Sequence, residues 1–332
     1  MRIAYGVMGY GRGHAMRSSA ILAELGREHQ IKVYAGPDAY AVMNEHFECE
    51  LIPCIHYRYG ASGQIDPLTT IRANISPSAD LLFGGAGTQR IAQSWKAFRP
   101  ELVISDSEAW SHQLARRMKI PRISIDHVGI MAYCKPQFAT GDALLAQRDR
   151  LGYLAMMGRP DHAIVSSFFP APPRYPNVSL VGPILRDMVY RARPAQGEYL
   201  LAYFNKGEHQ FTEGVEQALR ACGRPVVVYG AGRAGQDENL HFKAPSQQGF
   251  VDDMAGAAAV IATAGHQTAS ECLWLGKPML LLPENAVEQR LNAHMACCMG
   301  IGAQASLLEL TGYDIQRFLL RLDEYRDQIG RH

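Results

Sequence analysis

Short apolar runs, each followed by a helical period and then another apolar run, recur along this chain, and that alternation constrains it more than any other feature. RIAYGVM at residues 2–8 precedes a helical pattern at 15–28 carrying Met16, Ile21, Leu22 and Leu25, and IKVYAG follows from residue 31. That is a βαβ unit. ELVISD (101–106), a helical stretch at about 108–118, RISIDHVG (122–129) and HAIVSS (162–167) continue the pattern, which predicts a parallel sheet with right-handed crossovers. From FFPAPPRYPNVSLVGPILR (168–186) the proline density rises, and the reading there is an extended connector without regular helix or strand. The alternation restarts with YLLAYFN (199–205), RPVVVYGAG (224–232), AVIATAG (259–265) and KPMLLLP (277–283). The expected organisation is a first domain at 1–170, a linker at 171–197, a second domain at 198–311 and a closing helix in 312–332 that packs back on the first domain, with Ile315, Phe318, Leu319 and Leu322 on one face. The fold class is α/β, two Rossmann-like doubly wound parallel-sheet domains facing across a cleft.

Composition narrows the function. A chain of 332 residues exceeds one ordinary core, and 47% hydrophobic residues with 20% charged ones exclude disorder. A formal charge of +1 offers no basic excess for a nucleic-acid partner. The seven scattered cysteines read as reduced thiols of a cytoplasmic protein. No apolar run approaches the ~20 residues of a membrane span, while peripheral contact with the inner membrane face stays compatible with the sequence. Oligomeric state is left open.

GVMGYGRGHAMRSSAILAEL, residues 6–25, places Gly11, Arg12 and Gly13 between strand and helix, where main-chain amides approach an anion or an acceptor; a plain tight turn is the alternative. The dinucleotide fingerprint fails because His14 stands three residues past Gly11, which disfavours a nicotinamide dehydrogenase. His14 opens the helix at the mouth of the sheet, where the positive helix end favours a neutral imidazole suited to general-base work. Asp106, at the end of LVIS, is the expected orienting carboxylate. A capping histidine and an N-cap aspartate are the competing readings. His127, after RISID, lines an acceptor pocket or is an ordinary core histidine. The stretch 57–95, with Tyr57, Arg58, Tyr59 and Arg72, is an acceptor loop, a membrane-facing patch or an ordinary connection.

GFVDDMAGAAAVIATAGHQTASECLWLGKPMLLLPENAVEQRLNAH, residues 249–294, carries the second signal. A strand ends in TAGHQ, so the amides of Gly265, His266 and Gln267 open a helix and can hold a diphosphate. Glu271, one turn on, is placed to accept both hydroxyls of a ribose, and Glu288 with Gln289 follow the next strand and face sugar hydroxyls.

At these residues the chain resembles the GT-B glycosyltransferases, most closely the nucleotide-sugar domain of the lipid II N-acetylglucosaminyltransferase group and its glucuronosyltransferase-like relatives. The resemblance implies that a turn carrying Phe250 and Val251 presents backbone groups to uracil, and that Gly265, His266, Gln267, Glu271, Glu288 and Gln289 hold diphosphate, ribose and donor sugar. GYGRGH is similar to that family's acceptor-side loop. In place of its second glycine-rich loop stands YFNKGEHQF, so that Lys206 replaces amides by a point charge. Tyr10 and Arg12 stand where the family has small residues. The implied function is an inverting, metal-independent transfer from a nucleotide diphosphate sugar, UDP-linked by the resemblance, to a hydroxyl of a small-molecule, lipid or glycan acceptor, with no cofactor. A non-transferring UDP-N-acetylglucosamine 2-epimerase and a non-catalytic sugar-nucleotide-binding protein are the alternatives. His46, Cys49, Cys54 and His56 lack regular zinc spacing, and the alternation of Phe47, Cys49 and Leu51 fits a half-buried strand.

Overall fold

The structure, a computed structural model, describes residues 1–60 and 64–332. Residues 61–63, within the stretch 57–95, lie outside the described residues. The chain divides into two compact units, one of Met1–Gly60 and Ile65–Ile184, the other of Leu185–His332 together with Gln64.

The first unit is built on β1 (Arg2–Val7), β2 (Gln30–Ala35), β3 (Cys49–Leu51), β4 (Leu102–Asp106), β5 (Arg122–Asp126), β6 (His162–Ser166) and β7 (Val178–Val181). They lie in the order β3-β2-β1-β4-β5-β6-β7, all parallel. β1 is buried at every position after Arg2, as its apolar run requires of a strand covered on both faces. The chain runs outward from β1 to β2 and β3, then returns to lay β4 on the other side of β1. That reversal is the switch point at which such sheets open a crevice beyond their carboxyl ends. β1 and β4 end level there, Val7 opposite Asp106.

β7 corrects the expectation of an irregular connector. Val178 and Leu180 lie between two prolines, Pro176 and Pro183, and the four residues pair with β6 as the edge of the sheet. Prolines flanking an edge strand cost it no ladder bond. A short helix, Asp187–Arg191, follows in the second unit.

The second unit contains β8 (Leu200–Tyr203), β9 (Val226–Tyr229), β10 (Gly235–Asp237), β11 (Leu240–Lys243), β12 (Ala259–Ala262), β13 (Met279–Leu281) and β14 (Gly302–Gln304). Their order is β10-β11-β9-β8-β12-β13-β14, with β10 antiparallel to β11 and the rest parallel. The switch point lies between β8 and β12.

The C-terminal segment is two helices, Gly312–Leu319 and Leu322–Ile329, the first opened by a capping box of Thr311 and Asp314. Its apolar face has a partner in its own unit: Ile315, Phe318, Leu322 and Tyr325 are buried in one core with Val215, Leu219 and Phe242. Burial of each such side chain contributes about 1.5–3 kcal/mol. The expected turn at FVDDM is also helical, lying inside Gln247–Gly256, where the Ser246 hydroxyl caps the Gly249 amide at 3.1 Å.

Candidate active site

The helix Arg12–Leu25 leaves the switch point of the first unit through Gly9–Gly11. Gly11 is its N-cap at φ 79°, a left-handed conformation suited to glycine, and its amide donates to Asp38 Oδ2 at 2.8 Å. Gly9 packs against Gly36 so closely that a Cβ on either would collide with the other's backbone. The helix start therefore lies directly over the ends of β1 and β2. No side chain caps it and its first turn holds no acid.

His14 then meets Asp106. Its Nδ1 lies 2.7 Å from Asp106 Oδ1, and since a carboxylate only accepts, Nδ1 carries the proton and the Nε2 lone pair is left for other chemistry. The His14 side chain is 18% exposed and that of Asp106 fully buried. Two residues that the sequence reading missed complete the cluster. Arg17 forks onto the carboxylate, Nη2 to Oδ1 at 2.6 Å and Nε to Oδ2 at 3.0 Å, and Ser18 Oγ donates to Oδ2 at 3.1 Å. Burial pushes the Asp106 carboxyl up, but the Arg17 guanidinium and His14 outweigh it and hold the group below its ordinary range. Asp106 therefore does not cap a helix; that role falls to Glu108, whose carboxylate accepts from the amides of Trp110 and Ser111, each at 2.7 Å. Between them Ser107 is strained at φ 53°, and its buried hydroxyl has no partner among the described residues.

Around this dyad Arg12 is exposed and Gly13 half-buried. The Tyr10 hydroxyl is 2.9 Å from that of Tyr59, and its ring stacks on His56 and meets Tyr57 edge-on. Those partners tie the glycine loop to the start of the 57–95 stretch. A recess of about 10 Å³ beside Ser107, Gly9 and Trp110 is too small for any acceptor. His127 is buried, with Nδ1 2.8 Å from the Ser166 carbonyl oxygen and its ring against Phe169, an arrangement suited to a core histidine. Among the described residues no group of three or more His, Cys, Asp or Glu is placed to hold a metal ion.

In the second unit, β12 runs through Thr263 and Ala264 to Gly265, the N-cap of the helix His266–Trp274, which has no side-chain cap and no acid in its first turn. The amide of Gly265 donates to the Thr263 carbonyl at 2.8 Å, and those of His266 and Gln267 lie in the first turn at the positive end of the helix. Glu271 is not the open carboxylate expected. It is 1% exposed, and Arg186 forks onto it, Nε to Oε1 at 2.9 Å and Nη2 to Oε2 at 2.7 Å, while Gln267 Nε2 donates to Oε1 at 3.0 Å. Glu288 accepts from Asn292 at 2.6 Å, and Gln289 is bonded twice to Glu284, by its Oε1 from the Glu284 amide and by its Nε2 to the Glu284 carboxylate. Phe250 packs on Tyr203 and Tyr229, Val251 is fully buried, and Lys206 is the N-cap of the short helix Gly207–Gln210.

The family model described as "Glycosyl transferase family 1" matches residues 1–323. The chain belongs to that family. This glycosyltransferase is 25% identical to an uncharacterized glycosyltransferase of Methanosarcina acetivorans, over 100% of the chain and 93% of that protein. Its fold is that of solved GT-B enzymes. The glycotransferase of kitacinnamycin superposes with a TM-score of 0.70 at 17% identity, covering 99% of this chain and 93% of that one. MurG of Acinetobacter baumannii does so at 0.60 and 13% identity, with 99% and 93% coverage. VinC, solved in complex with dTDP, gives 0.65 at 14% identity over 100% and 94%.

Proposed function

We propose that this glycosyltransferase moves a sugar from a nucleoside diphosphate sugar, UDP-linked, to an acceptor hydroxyl by single displacement with inversion and without a metal. The observation that carries the reading is the His14–Asp106 pair, whose geometry leaves Nε2 as the free base. His14 Nε2 takes the acceptor proton as the hydroxyl oxygen attacks the anomeric carbon, the glycosyl–phosphate bond breaks, and Asp106 stabilises the imidazolium that forms. The nucleoside diphosphate leaves with its new charge facing the helix N-terminus at His266 and Gln267, which supplies the stabilisation a metal gives elsewhere. Gln267, held in place by the Glu271 carboxylate, then serves the ribose, and Glu288 and Gln289 the donor sugar. VinC's dTDP complex supports a nucleoside diphosphate at this fold. Exposed Leu68, Ile71 and Ile75 on the helix Pro67–Phe83 support peripheral attachment to a membrane surface; among the described residues no helix is long and apolar enough to cross one.

The test is incubation with UDP-, TDP- and GDP-sugars in EDTA, with simple alcohols and water as acceptors. Release of nucleoside diphosphate and an inverted anomeric centre by NMR are expected. Activity lost in EDTA and restored by a divalent cation, or a retained configuration, overturns the mechanism, and a 2-epimer formed without acceptor favours the epimerase reading.

A further inference from the structure

We propose that Arg17 is a positioning residue that offsets the charge of Asp106, so that the carboxylate orients His14 without drawing a second proton onto it. The proposal rests on reading His14 as the base. Asp106 has four donors, His14 Nδ1 and Arg17 Nη2 on Oδ1, Arg17 Nε and Ser18 Oγ on Oδ2, which fills every lone-pair site of a carboxylate. Arg17 Nη2 also lies 3.2 Å from His14 Nδ1. Both atoms carry hydrogens directed at Oδ1, so the approach is between two donors and forms no bond of its own. A lone aspartate beside an imidazole favours the imidazolium; a guanidinium at this range opposes it.

The surrounding charges leave Arg17 in that role. Tyr5, from β1, is fully buried, and burial and Asp106 both push its phenol up, so it stays neutral. Asp126, from β5, is buried and occupied by Ser124, Tyr153 and the Gly129 amide, and its field adds to that of Asp106 in keeping Arg17 charged. Asp38, on the helix Pro37–Met43, accepts from the Gly11 amide. Glu108 is turned onto the amides of Trp110 and Ser111, and Arg12 is exposed.

The test follows the His14 ring resonance by NMR against pH, assigned with H14Q, in the full chain without substrate. In R17Q the titration midpoint rises by about 1–3 units, while R17K, which keeps the charge and loses the fork, stays within about half a unit of wild type. An unmoved midpoint in folded R17Q, or R17K moving as far as R17Q, overturns the proposal. R17Q leaves a buried carboxylate less well paired and so challenges folding. The double variant R17Q/D106N buries no unpaired charge there, and its midpoint returns close to wild type if the two charges offset each other at His14. A midpoint well below wild type in the double variant shows that only Asp106 acts on the ring, which also overturns it. None of these readouts depends on turnover, so loss of the base reading, judged from H14A activity, is scored separately.

Discussion

Each unit holds a buried carboxylate gripped end-on by an arginine, Asp106 by Arg17 in the first and Glu271 by Arg186 in the second, with fork distances of 2.6 and 3.0 Å against 2.7 and 2.9 Å. The ion pairs are nearly superposable in chemistry, and their third partners are not. Asp106 is also bonded to His14, a titratable ring that reaches the surface, whereas Glu271 is bonded to Gln267, which cannot titrate. The same clamp therefore serves two ends. In the first unit the carboxylate acts through a side chain that can accept a proton. In the second it fixes the first two turns of the helix that follows β12.

Removing the partner that distinguishes the two clamps has the largest expected effect. His14→Ala cuts turnover by about 10²–10⁴, while affinity for the nucleoside diphosphate, measured calorimetrically, stays as in wild type because His14 lies in the other unit from residues 265–271. Gln267→Ala does the reverse, weakening the nucleotide and leaving the pH dependence of turnover in place. A fall in nucleotide affinity for His14→Ala that matches its fall in turnover would show that the ring binds rather than reacts.

The next effect separates the clamps by stability. Arg186→Met strands Glu271 among buried groups, and breaking such a pair costs about 3–5 kcal/mol. Arg17→Met strands Asp106, but His14 can protonate and supply the missing cation, so at pH 6 its cost is smaller by about 1 kcal/mol or more, a gap that narrows at pH 8. Denaturant unfolding of both variants at the two pH values measures this. Equal costs at pH 6 would mean that His14 does not share the carboxylate.

Neither arginine was legible in the sequence, while the residues they hold were. His14 and Asp106 announce themselves because each sits at a strand end where a parallel sheet gathers side chains, and the level ends of β1 and β4 bring them together. Arg17 lies three residues beyond His14 in a helix and reads as a solvated charge; only contact with Asp106, 89 positions away, makes it a buried one. Arg186 follows VGPIL in a stretch read as linker, and its partner is 85 positions on. Most strands of the sheets were readable from their period and their bounding glycines, whereas β10 and β14, three residues each, are too short to show a period. β7 was not readable, since Pro176 and Pro183 dominate a four-residue run; a helix was expected at 252–258, but its start was not legible, since the resemblance framed FVDDM as a turn where the Ser246 cap begins a helix. The C-terminal face at Ile315 and Phe318 was recognised as apolar, but its partner in the second unit's core is set by packing that no local pattern encodes.

The smallest expected effect contrasts two carboxyls on either side of the strained Ser107. Asp106 is held low by Arg17, so its contribution to stability is present above its unfolded value and is lost as pH falls through its folded one. Glu108 has no cation, and burial pushes it from 4.5 to about 7 despite bonds from Ser111 and the Trp110 amide. The folded chain then keeps a proton that the unfolded chain releases, so the Glu108 contribution is complete below pH 4.5 and declines as pH rises toward 7, by about 1–3 kcal/mol in all. Glu108→Gln cannot ionise and should flatten that decline between pH 4.5 and 7, at the cost of a poorer helix cap at every pH, while the acid limb set by Asp106 survives. Thermal unfolding followed from pH 3 to 8 reads both limbs. A variant whose stability still falls across the upper window would place the titrating group elsewhere, and would remove the distinction between a carboxyl paired with Arg17 and one left to cap a helix.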